Sequence, residues 1–267
     1  DMEFFVVDRE RCKKDSICAK LCPSNIIKID EETRYPFVRM EDERKCIKCG
    51  QCVSFCPFIA CDVASIELCE PVEKSTLPPP DSVAALLKSR RSVRMYKKEG
   101  LPLEKINELI EIANTAPTAS NKRSVRWIVL SDRGQLDEAA KHVLDYWDEM
   151  GKSEAWYRRI ARVVRSGKDL LFRGAPQLVV SVTVPGIDWH EDAVISLTYL
   201  EIAAHAFGAG MCWAGFMTSA ARQHKPLRDY LRVQDGEFIS GAQMLGYPVL
   251  GIAKRSPVKP KPIVTFM

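Results

Sequence analysis

Cys46-Ile-Lys-Cys49-Gly-Gln-Cys52-Val-Ser-Phe-Cys56-Pro57 places its cysteines at the spacing C-x2-C-x2-C-x3-C-P without a departure. Such a run wraps three thiolates around one iron-sulfur cubane and sends the fourth to a neighbouring cluster. A second CP-ended run lies about 34 residues upstream, Cys12-Lys-Lys-Asp-Ser-Ile-Cys18-Ala-Lys-Leu-Cys22-Pro23, with Asp15 where the second cysteine belongs. The rule then gives Cys46, Cys49, Cys52 and Cys22 to one four-iron (4Fe-4S) cluster. Cys12, Cys18 and Cys56 go to the other, with Asp15 at its missing corner. A zinc site is the competing reading, and two runs of one form weigh against it. Asp15 has two readings: a carboxylate ligand, harder than thiolate and weaker on iron, or a bystander beside a three-iron (3Fe-4S) cluster. The preferred reading is a four-iron cluster whose corner is labile or held by aspartate. Cys61 and Cys69 fall outside the pattern and read as small buried apolar side chains rather than as extra ligands.

The rest of the composition agrees with a metal-binding, reducing context. Nine of the ten cysteines precede residue 70, in a chain of 267 residues that is 46% hydrophobic and long enough for two domains. Residues 1–30 interleave charged with apolar residues and no apolar run is long enough to span a bilayer, so the expectation is a cytoplasmic protein with no membrane partner. Net charge is +4; residues 1–76 hold 12 Lys+Arg against 15 Asp+Glu, net −3, which leaves +7 for the remainder. A modest positive charge without a base-reading pattern argues against nucleic acid, while the positive second part suits bound anionic groups.

Glu73-Lys-Ser-Thr-Leu-Pro-Pro-Pro-Asp81 reads as a stiff linker, since consecutive prolines continue neither a helix nor a paired strand. The expected domains are 1–72, a linker at 73–81, and 82–267. Beyond the linker, Asp81 is expected to cap a helix through Leu87, and Pro102 to open another from Leu103 to Asn114. Strands are expected at Val125–Leu130, Gln177–Val184, Met211–Phe216 and Phe238–Leu245, and two inserted helices between Gln135 and Phe172. Helices alternating with strands make this part α/β or α+β.

Several polar stretches in this part point to a bound phosphate and a planar ring. Ser89-Arg90-Arg91-Ser92-Val93-Arg94-Met95-Tyr96 puts guanidinium groups beside a hydroxyl at a helix end, a set suited to phosphate oxygens. Ala116-Pro117-Thr118-Ala119-Ser120-Asn121-Lys122-Arg123 is a polar loop leading into a strand. Arg173-Gly-Ala-Pro176, Gly208-Ala-Gly210-Met-Cys-Trp-Ala-Gly215, Gly246-Tyr247-Pro248 and Lys254-Arg255-Ser-Pro257 follow in order. In this order residues 82–267 resemble the nitroreductase family of FMN enzymes, and the first 70 or so residues resemble a bacterial-type two-cluster ferredoxin.

The resemblance implies an α+β protein: a ferredoxin-like iron-sulfur domain followed by a nitroreductase-type three-layer α+β FMN domain, paired as a homodimer through helices such as Asp192–Phe207. It implies that Arg90 and Ser92 bind the FMN phosphate, with Arg91 and Arg94 beside them and Lys254 and Arg255 from the tail. Thr118, Ala119, Ser120 and Asn121 would hold the flavin ring, and the backbone at Ala214 and Gly215 would approach its reactive edge. Where the family has Asn-x-Gln-Pro this chain has Asn121-Lys122-Arg123-Ser124, which makes Arg123 a candidate for the pyrimidine carbonyls. The activity implied is reduction of a small electron-poor acceptor such as a nitro compound, quinone or activated alkene, with an external ferredoxin or NAD(P)H as donor. The alternative is an electron-transfer protein serving a protein partner. No catalytic side chain is expected, because hydride chemistry belongs to the flavin. Trp147, Trp156 and Tyr157 read as packing or as a wall of the substrate pocket; His142, His190, His205 and His224 as solvated or locally satisfied; Cys212 as packing.

Overall fold

The computed structural model describes residues 4–64, 66, 69, 72–186, 189–251 and 262–267. It divides into two units: residues 1–77 with 120–122, and residues 78–119 with 123–267.

The first unit is built from short pieces. In chain order these are β1 (Phe5–Val7), α1 (Ile17–Leu21), β2 (Ile27–Ile29), β3 (Pro36–Val38), a 3-10 turn (Met40–Lys45), α2 (Gln51–Ser54) and β4 (Cys61–Val63). β1 pairs antiparallel with β4, and β2 with β3. Its buried apolar set is small: Phe5, Cys18, Ile26, Ile27, Ala60, Cys61 and Val63. The backbone takes left-handed φ at Lys14 and Lys48, at Ser16 and Gly50, and at Asn25 and Ile59. Each of these pairs is 34 residues apart, as are the matching cysteines, so the repeat in the sequence is a repeat of backbone conformation.

The second unit contains α3 (Pro80–Ser89), α4 (Leu103–Ala113), β5 (Arg126–Leu130), α5 (Arg133–Met150), α6 (Ala155–Arg165), β6 (Gln177–Thr183), α7 (Trp189–Ala206), β7 (Gly210–Trp213), α8 (Gly215–Gln223), α9 (Lys225–Tyr230) and β8 (Phe238–Gly246). The strands form one antiparallel sheet in the order β5-β6-β8-β7. Side chains alternate across it. Ile128, Leu130, Leu178, Val180, Val182, Ile239 and Met244 face a cluster completed by α5, α6, α8 and α9. Trp127, Val129, Val179, Met211 and Leu245 face Ile106 and Leu109 of α4 and Leu197 and Leu200 of α7. The sheet is therefore covered on both faces, the three-layer arrangement expected, and each enclosed Leu, Ile or Val contributes roughly 1.5–3 kcal/mol. Several polar groups within the sheet are paired: Gln177 both accepts from the Leu101 N–H (2.8 Å) and donates to the Leu101 carbonyl (2.8 Å), and the Thr183 and Ser240 hydroxyls share a 2.8 Å bond.

Two local expectations are corrected. Asp81 does not cap α3; Pro79 occupies that position and Asp81 stands in the first turn, where its charge favours the helix dipole. The strand expected over Met211–Phe216 ends at Trp213, because the chain leaves the sheet at Ala214 and opens α8 at Gly215. β7 also needs its glycine: a Cβ built on Gly210 would overlap the Val93 side chain. Gly210→Ala is expected to destabilise the chain by about 1–3 kcal/mol through overpacking. The denaturant midpoint followed by circular dichroism checks this, and an unmoved midpoint would mean that Val93 yields at no cost.

Candidate functional site

In the first unit the two cysteine runs meet around two cavities. Cys22, Cys46, Cys49 and Cys52 line one, between apolar walls that include Phe5, Ile27 and Val38. Cys12, Cys18 and Cys56 line the other, with Asp15, Cys61 and Phe58. Backbone N–H groups point at cysteine sulfurs: Lys48 donates to Cys46 Sγ (3.4 Å) and Ala60 to Cys56 Sγ (3.3 Å). Such bonds stabilise thiolate and tune cluster potential. Among the described residues no group of three or more His, Cys, Asp or Glu is arranged to hold a single metal ion; the thiols surround cavities instead of meeting at a point. Burial, and after it the neighbouring Cys46, Cys49 and Cys22, pushes the Cys52 thiol up to about 12. Four such thiols ionise together only against a cationic body, and the donor set, the dry walls and the N–H donors fit a four-iron cubane.

The outlying cysteines behave differently from one another. Cys69 is exposed, with its Sγ 3.6 Å from the Ser54 hydroxyl, so the buried apolar reading fails for it. Cys61 is buried and its side chain lies within hydrogen-bonding reach of Cys18; that bond draws Cys18 down to about 7 and pushes Cys61 up. Asp15 is exposed, and its Oδ1 accepts from the Ile17 N–H (3.1 Å) at the start of α1.

In the second unit the basic run leaves α3 and lies along the sheet edge at β7. Val93 N–H donates to the Met211 carbonyl (3.0 Å), and Tyr96 bridges to Pro248. Ser89 Oγ and His205 Nε2 are 2.8 Å apart. Arg90, half-buried, holds Glu201 of α7 at 2.6 Å (Nη1 to Oε1), and Gln243 donates to the other oxygen of that carboxylate at 3.5 Å. Ser92 is half-buried, while Arg91 and Arg94 are exposed. Where β7 ends, Ala214 N–H donates to the Ala242 carbonyl (2.8 Å), and Gly215 stands exposed as the first residue of α8.

The polar loop before β5 is fastened by Asp192, whose Oδ1 accepts from the Ala119 N–H (2.9 Å). Thr118 Oγ1 accepts from the Arg123 N–H at 3.1 Å. Ser120, Asn121 and Arg123 all have left-handed φ, of 51°, 52° and 48°. Non-glycine residues held there store strain of order 1–3 kcal/mol each, a cost concentrated at ligand sites. Ser120–Lys122 group with the first unit. Lys254 and Arg255 lie outside the described residues.

Asp192 and Glu201 are site neighbours that sequence reasoning missed. Each is an acidic residue on a largely apolar helix, which is the signal the sequence carried, and the structure encloses both almost fully. Trp147 is 1% exposed and packs edge-on against Phe216 at 5.4 Å, so it is core. Trp156 is 52% exposed, 5.9 Å from Phe216 and 5.0 Å from Tyr157. Cys212 is buried in the core. Of the histidines, His224 is buried and locally satisfied, with Nδ1 3.6 Å from Glu149, while His190 is half-buried and its Nδ1 is enclosed without a partner among the described residues.

The model of the nitroreductase family matches residues 87–247, more than half of the chain, and a 4Fe-4S dicluster domain model matches residues 10–60. A nitroreductase from Bacteroides fragilis, crystallised with FMN, has 21% sequence identity and a TM-score of 0.61 over 69% of this chain and 98% of its own. Another from Desulfitobacterium hafniense, also with bound FMN, gives 24% and 0.57 over 69% and 97%. At these identities the likeness is one of fold, and the family models carry the assignment: the chain belongs to the nitroreductase family and bears a 4Fe-4S dicluster domain ahead of that part.

Proposed function

We propose that the protein is an iron-sulfur flavoprotein oxidoreductase that moves electrons between two ferredoxin-type clusters and FMN to reduce a small electron-poor acceptor: a nitro compound, a quinone or an activated alkene. The observation that carries this reading is the presence, in one chain, of two thiol-lined cavities and a nitroreductase-family unit. When bound, the clusters supply single electrons and FMN supplies storage of two and their release as hydride.

The chain's own residues bind and orient. Cys22, Cys46, Cys49 and Cys52 hold one cluster, and Cys12, Cys18 and Cys56 contribute three thiolates to the other. Arg90, Arg91, Ser92 and Arg94 present charge and a hydroxyl to the phosphate, aided by Lys254 and Arg255, in the part of the chain that carries net +7. Glu201 fixes the Arg90 guanidinium from the protein side. Thr118, Ala119, Ser120, Asn121 and Arg123 serve the ring, with Asp192 anchoring Ala119. Ala214 and Gly215 bring backbone close to it without a side chain at the second position. Trp156, exposed beside Phe216, narrows the acceptor's approach. Either an external ferredoxin or NAD(P)H fits as electron donor.

A homodimer suits α7, whose exposed side chains include Ile195 and Tyr199 while its buried ones are already packed on the sheet and α4. Among the described residues no helix is long and apolar enough to cross a membrane. Light scattering on the eluted protein is expected to give twice the chain mass of 30.1 kDa, and Tyr199→Asp to shift it toward the single chain.

Anaerobic assay should find about eight irons and about one FMN per chain. Arg90→Ala is expected to weaken FMN binding at least about tenfold while leaving iron unchanged, whereas Cys46→Ala should lose about half the iron and keep the flavin. Full FMN retention in Arg90→Ala would sink the phosphate assignment, and a preparation without flavin would sink the enzyme reading. Asp192→Ala removes the acceptor for Ala119 N–H; hydrogen exchange at residues 118–119 should accelerate about tenfold or more. Unchanged exchange there would show that the loop is held by other means.

A further inference from the structure

The two cysteine runs can be compared position by position, because their cysteines, three pairs of left-handed residues and the starts of β2 and β4 recur at an offset of 34. Two positions differ between them in a way that bears on iron. Asp15 occupies the place of Cys49, so the second cavity lacks a thiol from its loop. Cys61 occupies the place of Ile27, an apolar wall residue of the first cavity, so the second cavity gains a thiol from its strand. The loss and the gain fall in the same cavity.

We propose that Cys61, rather than Asp15, supplies the fourth protein ligand of the second cluster, with Cys12, Cys18 and Cys56. The proposal rests on the two-cluster reading above. Each cavity is then lined by four thiols: the first by Cys46, Cys49 and Cys52 of one run and Cys22 of the other, the second by Cys12 and Cys18 of one run, Cys56 of the other and Cys61 of β4.

The strand that carries Cys61 is well suited to present it. β4 pairs with β1 in a register that sets Cys61 opposite Val7, and the strand alternates buried, exposed, buried. Its two inward side chains serve different cavities, Val63 the first and Cys61 the second. The preceding residue, Ala60, is fixed by its N–H bond to Cys56 Sγ. Cys61 is 7% exposed and within hydrogen-bonding reach of Cys18, so the two sulfurs look into one space. Asp15 does something else. It is exposed, follows the left-handed Lys14, and its carboxylate accepts from the Ile17 N–H, which steadies the first turn of α1.

Donor chemistry agrees. Iron in a sulfide cluster favours a soft thiolate over a hard carboxylate, and a buried site excludes the water that competes for an exposed corner. On ligation the Cys61 S–H bond gives way to an iron-sulfur bond, the proton passes to solvent, and whatever oxygen ligand held that iron leaves with its electron pair. No electron is transferred.

The test uses the full chain, reconstituted anaerobically, with iron and sulfide counted per chain and EPR recorded after mild oxidation; FMN content reports that the second unit is folded. Asp15→Ala is expected to keep about eight irons and give no three-iron signal, while Cys61→Ile, which installs the residue found at position 27, drops to about seven and gives one. Asp15→Cys combined with Cys61→Ile should restore about eight irons by returning the thiol to the loop. A three-iron signal from Asp15→Ala, or none from Cys61→Ile, overturns the proposal. Only about four irons in the unaltered chain would overturn the two-cluster reading itself, and the ligand assignment with it.

Discussion

Thiols do not crowd into a dry space without something cationic between them, and this constraint governs the first unit. Seven cysteines of two loops and their turns face two cavities, the first walled by apolar side chains and the second also by Lys13, Lys14, Asp15 and Ser16. Ionising them there in isolation is unfavourable, as the raised Cys52 shows. The unit has little else to hold it: three-residue strands, helices of one turn or so, and a handful of enclosed apolar side chains. Domains of this size ordinarily draw on metal or crosslinks for stability, and among these ten free cysteines the cavities are where such support enters.

The second unit rests on the opposite principle. Its sheet is enclosed on both faces by helices, and its apolar alternation runs through β5, β6 and β8 with few interruptions. At the edge formed by β7 the chain before the strand returns to pair with it and the chain after it turns at once into α8. Glycine marks both events. At Gly210 the neighbouring segment comes too close for a side chain, and at Gly241 a Cβ would stand 2.6 Å from the Trp213 ring.

Much of this was legible in the sequence, for identifiable reasons. The cysteine spacing is a local pattern with a local cause, and the strands announce themselves by β-branched runs; β6 and β8 fall within a residue or two of where they were expected. What was missed depends on partners far apart in the chain. Nothing near Arg90 foretells Glu201, 111 residues away, and nothing near Ala119 foretells Asp192. The end of β7 was misplaced because Trp213 and Phe216 both favour strands while the turn at Ala214 is set by tertiary packing. Cys61 is a separate case: its match to Ile27 was available by counting, but the spacing rule attends to cysteines that fit the motif, and it took the repeated backbone to give the extra one a place.

The ion pair between Arg90 and Glu201 has a bearing on how an anion can bind there. A half-buried guanidinium without a partner would be an uncompensated charge at the edge of the core, and such charges are costly. Glu201 already balances it, and Gln243 holds the carboxylate in turn. The charge at this edge is therefore met from within the second unit itself. Any anion that approaches Arg90 has to share the guanidinium with a carboxylate already in place, so binding there is an exchange of partners and not the filling of an empty charge.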